Sequence, residues 1–119
     1  MSQPEMKVSS DGTKRWFLNG ERHREDGPAI EWSDGEKHWY LNDKLHREDG
    51  PAIEYPNGTK CWYLNGKKHR EDGPAVEYAG GTKRWFLNDE EVTWKQLFRN
   101  ANGDLEKECR ILVAALTTS

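Results

Sequence analysis

The sequence repeats itself every 23 residues, and this period constrains the fold more than any other feature. Each row opens on a Gly-containing pair, at positions 11–12, 34–35, 57–58 and 80–81, and continues with Trp, an aromatic residue, Leu and Asn in fixed order. Three rows also carry the heptapeptide HREDGPA, which begins at His23, His46 and His69. A period in this range is typical of arrays whose units bury a core only by stacking on their neighbours.

Each row predicts two short antiparallel strands joined by a tight turn. Asp-Gly, Asn-Gly and Gly-Gly tolerate the positive φ that primed hairpin turns require. The segment before the turn reads P-A-(I/V)-E-(W/Y), and the segment after it reads K-x-W-(F/Y)-L-N. The long return through HRED is polar and predicts a loop. The rows therefore predict an antiparallel meander of about seven strands, with an eighth around Val8.

A two-residue turn would fix a register that sorts the side chains. With Asn57 and Gly58 at the centre of the turn, Ile53 would face Trp62 on one side of the sheet, and Tyr63 would lie on the other. The first side would then be a core of Ile or Val, Trp and Leu. On this interpretation the Trp ladder is more deeply buried than the Tyr/Phe ladder. The two ladders are Trp16, Trp39, Trp62 and Trp85, and Phe17, Tyr40, Tyr63 and Phe86.

The row motif resembles MORN-type repeats, and more closely the variant repeats with YLNGKxHREDGPA that occur in short bacterial and phage-encoded proteins. The resemblance covers residues 11 to about 90. HRED stands where the standard MORN pattern has Gly, which weakens the case for the lipid-binding role assigned to some MORN proteins. The resemblance implies a mainly β fold, an elongated antiparallel β-hairpin repeat sheet of the MORN-like solenoid kind. Such a sheet is used as a binding surface rather than as an enzyme.

The period ends near residue 91, and the tail has the sequence pattern of helices. Thr93 with Gln96 fits a capping box, and Val92 with Leu97 fits a hydrophobic staple. Asp104 can cap a second helix. Apolar residues recur there at helical spacing, at Leu105, Cys109, Leu112, Val113 and Leu116. We predict a repeat region over residues 1–91, with rows starting at 11, 34, 57 and 80. A short C-terminal helical cap follows over 92–119, with a partner-binding or dimerising helix as the alternative.

The HRED loops offer His, Arg, Glu and Asp in triplicate, but their spacing argues against a shared metal or catalytic site. Two strands per row at ~4.8 Å separate equivalent atoms by roughly 10 Å, whereas zinc ligands lie about 2.0–2.2 Å from the metal. Turn chemistry and local hydrogen bonds account for these residue types at these places. The sequence contains no G-x-S-x-G and no phosphate-binding loop. We therefore expect no enzyme, no catalytic residues, no metal and no cofactor.

Composition and charge narrow the classes of partner. Charged residues make up 33% of the chain, yet six Trp, four Tyr and three Phe set it apart from disordered chains. A net charge of −3 argues against nucleic acid and anionic lipid. In the predicted register, Glu31, Glu54 and Glu77 would also lie beside the Tyr/Phe ladder and repel phosphates. No apolar stretch resembles a signal peptide or a membrane span, and the two cysteines form no disulfide framework, so we expect a cytoplasmic protein.

Row positions that vary predict the binding surface, because repeated residues build the scaffold. The predicted binding strip comprises Arg15, His38, Tyr40, Lys44, Tyr63, Lys67, Lys68 and Arg84. Tyr, His and Arg together have the composition of a protein interface. A solvated sheet face with cross-strand ion pairs is the alternative interpretation.

The leading functional hypothesis is a non-catalytic protein-binding repeat module. The resemblance to phage-encoded proteins points to an inhibitor or regulator of a bacterial enzyme or defence complex, acting in the host cytosol. The alternative is a sponge-like protein that sequesters a small anionic or nucleotide-like ligand, and nucleic-acid binding is a further alternative. Self-association would use the sheet edge or the C-terminal helix.

Overall fold

Each 23-residue row folds into two successive β-hairpins, and the rows lie side by side in an open antiparallel sheet. The computed structural model describes residues 3–117; residues 1–2 and 118–119, which the predicted ranges include, lie outside the described residues. The fourteen strands in this described part are β1 Glu5–Val8, β2 Lys14–Leu18, β3 Glu21–Arg22, β4 Ile30–Glu31, β5 Lys37–His38, β6 Tyr40–Leu41, β7 Lys44–Leu45, β8 Ile53–Glu54, β9 Lys60–Cys61, β10 Tyr63–Leu64, β11 Lys67–Lys68, β12 Val76–Glu77, β13 Lys83–Leu87 and β14 Glu90–Val92. The predicted mainly β hairpin-repeat sheet with a helical cap is confirmed.

The main sheet follows the chain with short interruptions. Its strand order is β1-β2-β4-β5-β8-β9-β12-β13-β14, with β3 paired to β2. β6 with β7, and β10 with β11, form separate two-stranded hairpins. The strand expected around Val8 is present as β1. The HRED return is not simply a loop, because its first residues form the second strand of these extra hairpins.

The first turn of each row is one residue longer than predicted. The Tyr55 N–H donates to the Thr59 carbonyl at 2.9 Å, and the Gly58 N–H donates to the Tyr55 carbonyl at 3.0 Å. Three residues therefore form the loop, and the last, Gly58, has φ +95°. This matches the three-residue hairpin loop that ends in a left-handed residue. Consequently Ile53 pairs with Cys61, so the predicted pairing with Trp62 is wrong.

A one-residue shift in register moves each side chain of one strand to the other side of the sheet relative to its partner. Ile or Val therefore shares a side with the Tyr/Phe ladder, and the predicted order of burial is wrong. The Tyr/Phe ladder has two buried members, Tyr40 and Phe86, whereas the Trp ladder has one, Trp85, and the other members of both ladders are half-buried. The buried clusters contain Ala29, Ile30 and Tyr40 in one part, and Ile53, Cys61, Ala75, Val76 and Phe86 in the next. We call this side the tyrosine face and the opposite side the tryptophan face.

Arginines of the HRED loops cover the tryptophan face. The Arg47 guanidinium carbon lies 4.0 Å from the centroid of the Trp39 ring, and Arg24 and Arg70 repeat the contact over Trp16 and Trp62 at 3.9 Å. Arg47 also donates to the Pro51 carbonyl at 3.1 Å, to the Glu54 carboxylate at 3.1 Å and to the Asp49 carboxylate at 3.2 Å. These contacts give the loops the structural role that their residue types predict.

Histidines of the same loops join one row to the next. The His46 Nδ1 accepts the backbone N–H of Asn65 at 2.9 Å, and His23 and His69 accept those of Asn42 and Asn88. Each acceptor bond satisfies a backbone donor in a two-residue turn. In the third row that turn is Asn65-Gly66, with φ of 51° and 81° as a type I′ turn requires. The imidazole thus fixes the spacing between successive rows.

Two helices close the end of the array, α1 Trp94–Asn100 and α2 Leu105–Leu116. Thr93 and Gln96 form the predicted capping box, and Asp104 caps α2 by accepting the Lys107 N–H at 3.2 Å. Leu97, Ala101 and Ile111 pack with Trp85, which is buried and has no HRED arginine over it. The helices thus cover the last Trp. No helix within residues 3–117 has the length and apolarity needed to cross a membrane.

Ion pairs attach α2 to the third HRED loop. Lys107 contacts Glu71 at 2.8 Å, and Arg110 contacts Asp72 at 3.0 Å. The hydrogen bond from Lys107, with a smaller contribution from His69, lowers the pKa of Glu71. Burial alone would raise the pKa of Asp72, but the hydrogen bonds and charges of its two arginine partners outweigh burial, so its pKa is lowered.

Candidate functional site

The tyrosine face carries a half-exposed aromatic residue just before the first turn of three rows, at Trp32, Tyr55 and Tyr78. Tyr55 lies two residues after Ile53 on the same extended segment, so its ring lies on the same side of the sheet. Tyr55 is 37% exposed and Tyr78 is 40% exposed, whereas the Tyr and Phe of the ladder lie deeper. The face therefore combines an aromatic ladder that is buried or half-buried with an outer row of more accessible rings.

These rings border a groove on the third and fourth rows. The groove has a volume of about 460 Å³, and its deepest residues, Cys61 and Val76, are buried. The residues that line its sides are Tyr55, Asn57, Thr59, Tyr63, Lys68, Tyr78 and Arg84. The groove thus offers three phenol rings and two cationic side chains around an apolar base.

The two cationic side chains of the groove, Arg84 and Lys68, have different contact partners. Arg84 donates two hydrogen bonds of 2.9 Å to Glu91 and lies 3.5 Å from the Tyr78 hydroxyl. The Glu91 bonds raise the pKa of Arg84, with a smaller effect of Tyr78. Lys68 places its ammonium 4.9 Å from the centroid of the Phe86 ring. Arg84 is therefore paired with Glu91, while the ammonium of Lys68 lies over the Phe86 ring and its charge contributes to the lowered pKa of Glu91.

Burial shifts the pKa values of three titratable groups that line the groove. Burial raises the pKa of Cys61, so the sulfur is held as a thiol rather than as the nucleophilic thiolate. Burial also raises the pKa values of Tyr55 and Tyr63, which keeps both phenols neutral and able to donate hydrogen bonds. The groove can stack on planar groups and hydrogen-bond to them.

A histidine extends the aromatic strip toward the second row. The His38 ring lies 4.5 Å from Trp32, 6.1 Å from Tyr40 and 6.5 Å from Tyr55, measured between ring centroids. Its Nε2 contacts the Glu36 carboxylate at 2.7 Å. The accessible aromatic strip is therefore continuous from Trp32 through Tyr55.

The structure places six of the eight residues of the predicted binding strip on the tyrosine face. These are Arg15, His38, Tyr40, Tyr63, Lys68 and Arg84, and Lys68 lies there because it pairs with Tyr63. Lys44 and Lys67 pair with Leu41 and Leu64, so they lie on the opposite face. Tyr40 is buried in the core and is not an accessible contact residue. The predicted strip is therefore not one continuous surface.

The repeated glutamates also lie on the opposite side from the one predicted. Glu54 pairs with Lys60, and its carboxylate accepts from Arg47 on the tryptophan face. Glu77 makes the same contact with Arg70 at 2.9 Å. The expectation that these carboxylates would repel phosphates from the Tyr/Phe ladder is wrong, and the overall charge of the chain remains as the argument against nucleic acid.

Sequence reasoning missed the accessible rings of Trp32, Tyr55 and Tyr78, because a two-residue turn assigned them to the other face. Pro56 was the feature that could have found them. In a two-residue Asn-Gly turn, Pro56 would occupy a strand position that requires an N–H, which proline lacks. Its fixed φ suits the first central position of a longer turn.

The tryptophan face has two equivalent grooves between successive HRED loops, of about 590 and 570 Å³. Trp39 and Leu41 line the first, and Trp62 and Leu64 line the second. Their arginines and histidines are engaged in the contacts described above. Within residues 3–117, no three His, Cys, Asp or Glu side chains are grouped as metal ligands.

Comparison with protein-family models, with curated proteins and with solved structures finds no match. The MORN-like assignment therefore stays a prediction from the repeated motif.

Proposed function

We propose that this chain is a non-catalytic protein-binding module that docks through the tyrosine face. The observation that carries the proposal is the row of accessible rings beside the groove, where Tyr55 and Tyr78 are 37% and 40% exposed. Interface cores are enriched in Tyr, Trp and Arg, and hot spots cluster where such residues can be fully desolvated. The rigid ladder beneath holds these rings in place at low entropic cost.

The repeated YLNGKxHREDGPA motif supports a finer proposal for the class of partner. Its likeness to short bacterial and phage-encoded repeat proteins supports an inhibitor or regulator of a bacterial enzyme or defence complex, acting in the cytoplasm. This part of the proposal rests on the motif, whereas the docking face rests on the geometry of the rings.

One observation favours a second candidate, the sequestration of a small anionic ligand. The groove places Lys68 among Tyr55, Tyr63 and Tyr78 over an apolar base. Aromatic rings stack on planar ligands, and an ammonium attracts an anionic group. A nucleotide-like molecule has both parts. This candidate uses the same face, so one experiment separates the two.

The experiment compares three forms of the immobilised full chain in a bacterial lysate. These are the wild type, a Tyr55→Ser/Tyr78→Ser variant, and a Lys44→Ser/Lys67→Ser control altered at exposed positions on the opposite face. Bound proteins are identified by mass spectrometry, and affinity for the recovered partner is then measured by calorimetry. Loss of two central rings is expected to weaken binding by about 10- to 100-fold. The control should bind like the wild type.

Three results decide between the candidates. A stoichiometric protein lost only in the Tyr variant supports the protein-binding proposal. A small molecule with nucleotide-like absorbance, released from the purified wild type on denaturation and absent from the Tyr variant, supports sequestration. Equal capture by the wild type and the Tyr variant, with both folded by circular dichroism, would show that the tyrosine face is not the binding surface.

A further inference from the structure

The third HRED loop shows which groups its two acidic side chains bind. Lys107 contacts Glu71 at 2.8 Å and Arg110 contacts Asp72 at 3.0 Å. The two cations lie on one face of α2, because they are three residues apart. Arg110 also contacts Glu106 of its own helix at 2.7 Å. With α2 bound, the side chains of Glu71 and Asp72 are 46% and 29% exposed. The partner of this loop is therefore a Lys and an Arg on adjacent turns of one helix.

The first two HRED loops have the same sequence, but their acidic side chains are open to solvent. Glu25 and Asp26 are 84% and 87% exposed, and Glu48 and Asp49 are 85% and 90% exposed. The next loop along the array therefore does not cover them. Glu25 and Glu48 lie 3.7 and 4.0 Å from the Nε2 of their loop histidines, which is longer than a hydrogen bond. Each of these loops thus presents the acidic pair that α2 binds on the third.

The charges of the two grooves between HRED loops differ in the same way. In each groove, two loop arginines face four loop carboxylates. Lys107 and Arg110 of α2 also line the second groove and balance its charge. Within residues 3–117, the loop arginines are the only Lys or Arg that line the first groove, so it keeps an excess of negative charge. Half-buried Trp39 and Leu41 add apolar surface there. The first groove is therefore complementary to a cationic, partly apolar partner.

We propose that the first two HRED loops bind a cationic helix of a partner protein, one that presents Lys and Arg three residues apart. The Lys contacts the Glu of a loop and the Arg contacts its Asp, as α2 does on the third loop. A second copy of this chain does not offer α2 for this contact, because Lys107 and Arg110 are already bound. The inference is independent of the proposed function, because it uses none of the residues of the tyrosine face.

The test measures the binding of a labelled helical peptide to the full chain by fluorescence anisotropy. The peptide is Ala-rich and about 20 residues long, so that it is helical in water. It carries two Lys-x-x-Arg pairs seven residues apart, because two helical turns and one row of the sheet each span roughly 10 Å. A second peptide of the same composition places each Lys two residues from its Arg, on different faces of the helix. The first peptide is expected to bind at least about fivefold more tightly, and added salt should weaken its binding.

Two variants of the chain locate the contact. Glu25→Gln/Glu48→Gln removes one exposed carboxylate from each loop and leaves the arginine contacts of both loops in place. Glu5→Gln/Glu90→Gln is the matched control, because it changes the net charge equally at exposed residues outside the loops. The loop variant should bind the first peptide about five- to tenfold more weakly than the wild type. The control should bind it like the wild type, and both variants should keep the wild-type circular dichroism spectrum.

Three results would overturn the proposal. Equal binding of the two peptides, or equal weakening by the two variants, would show general charge attraction and no recognition of a helix face. No binding of the first peptide by the wild type at about 1 mM would show that the loops do not take such a helix. Exposed Lys95 and Arg99 lie four residues apart on α1, so sedimentation of the wild type up to roughly 500 μM is run in parallel. Self-association that the loop variant abolishes would assign the loops to a second copy instead.

Discussion

Replacing Arg47 by Ala should remove the cover of Trp39 and destabilise the array far more than loss of an ordinary surface arginine. The Arg47 side chain is only 24% exposed and lies 4.0 Å over the indole. It also holds the HRED loop closed through the Pro51 carbonyl at 3.1 Å. Without it, one face of Trp39 meets water and the loop loses its central donor.

The magnitude follows from these contacts. A partly desolvated cation–π contact contributes about 1 kcal/mol, and a charged hydrogen bond to a half-buried carbonyl contributes about 1.5–2 kcal/mol. The pair with Asp49, whose side chain is 90% exposed, adds little. We expect a loss of about 3 kcal/mol in the free energy of unfolding. For a chain of this size, that loss lowers the melting temperature by about 12 °C.

The assay is thermal and urea unfolding followed by far-ultraviolet circular dichroism, which does not depend on the emission of Trp39 itself. Arg47→Lys keeps the charge but lacks the planar fork, so it should fall between Ala and the wild type. Arg99→Ala, at an exposed arginine of α1, should change stability by less than about 0.5 kcal/mol. A loss below about 1 kcal/mol for Arg47→Ala, or full stability of Arg47→Lys, would refute the reasoning.

A second variant displaces the guanidinium without removing it. A Cβ on Gly50 would lie 2.9 Å from the Arg47 guanidinium carbon, so Gly50→Ala should destabilise the wild type by pushing Arg47 off the ring. In the Arg47→Ala background the clash is gone, and the same change should be neutral or stabilising because Ala restricts the unfolded chain. A double-mutant cycle measures this difference in sign. Equal effects in the two backgrounds would contradict the proposed packing.

Two further predictions concern the cap and the strand register. The pKa values of Glu71 and Asp72 are lowered in the folded chain, so their ion pairs with α2 stabilise the fold fully above the ordinary pKa values of 4.5 and 3.8 and are lost as pH falls through the lower folded values. A Glu71→Gln/Asp72→Asn variant should therefore show a smaller acid-induced fall in melting temperature than the wild type. Identical dependence of melting temperature on pH in the two proteins would show that these pairs do not hold the cap. Ile53→Cys should form a disulfide with Cys61 on oxidation, whereas Glu54→Cys should not, because only residues 53 and 61 share a face of the sheet. Mass spectrometry and peptide mapping detect the bond. A disulfide formed by Glu54→Cys and not by Ile53→Cys would instead support the two-residue turn.

Local sequence patterns predicted several elements of this fold whose causes are local. Thr93, Gln96 and Asp104 satisfy nearby backbone donors, so the starts of both helices could be read directly. The strand around Val8 and the turn in each row follow in the same way. The second hairpin was missed although Asn65-Gly66 is itself a strong turn pattern. The polarity of the surrounding residues outweighed it, since strands two residues long carry almost no periodicity.

The candidate site could be predicted only in part, because it depends on whether the first turn of each row has two or three residues. The structure gathers three residues of the predicted strip, Tyr63, Lys68 and Arg84, around one groove. Because the turn is one residue longer than predicted, the core lies on the side of the Tyr/Phe ladder and not on the Trp side. Tyr40 is therefore a core residue, and Tyr55 is accessible. Helix α2 shows the same limit. Helical spacing singled out the apolar row from Leu105 to Leu116, but packing against Trp85 buried the face with Ile111 and its small alanines instead.

The sequence by itself determined the row, its length, the place of its first turn and the change to helices near residue 92, because periodicity and capping are properties of neighbouring residues. The tertiary structure alone decided which face is core, how the tryptophans are covered and which rings reach solvent. These outcomes depend on contacts such as Arg47 over Trp39 and His46 on the Asn65 N–H, which join separate segments. Burial of a face is a property of the stacked sheet, so a single row cannot specify which of its two sides will lie inside.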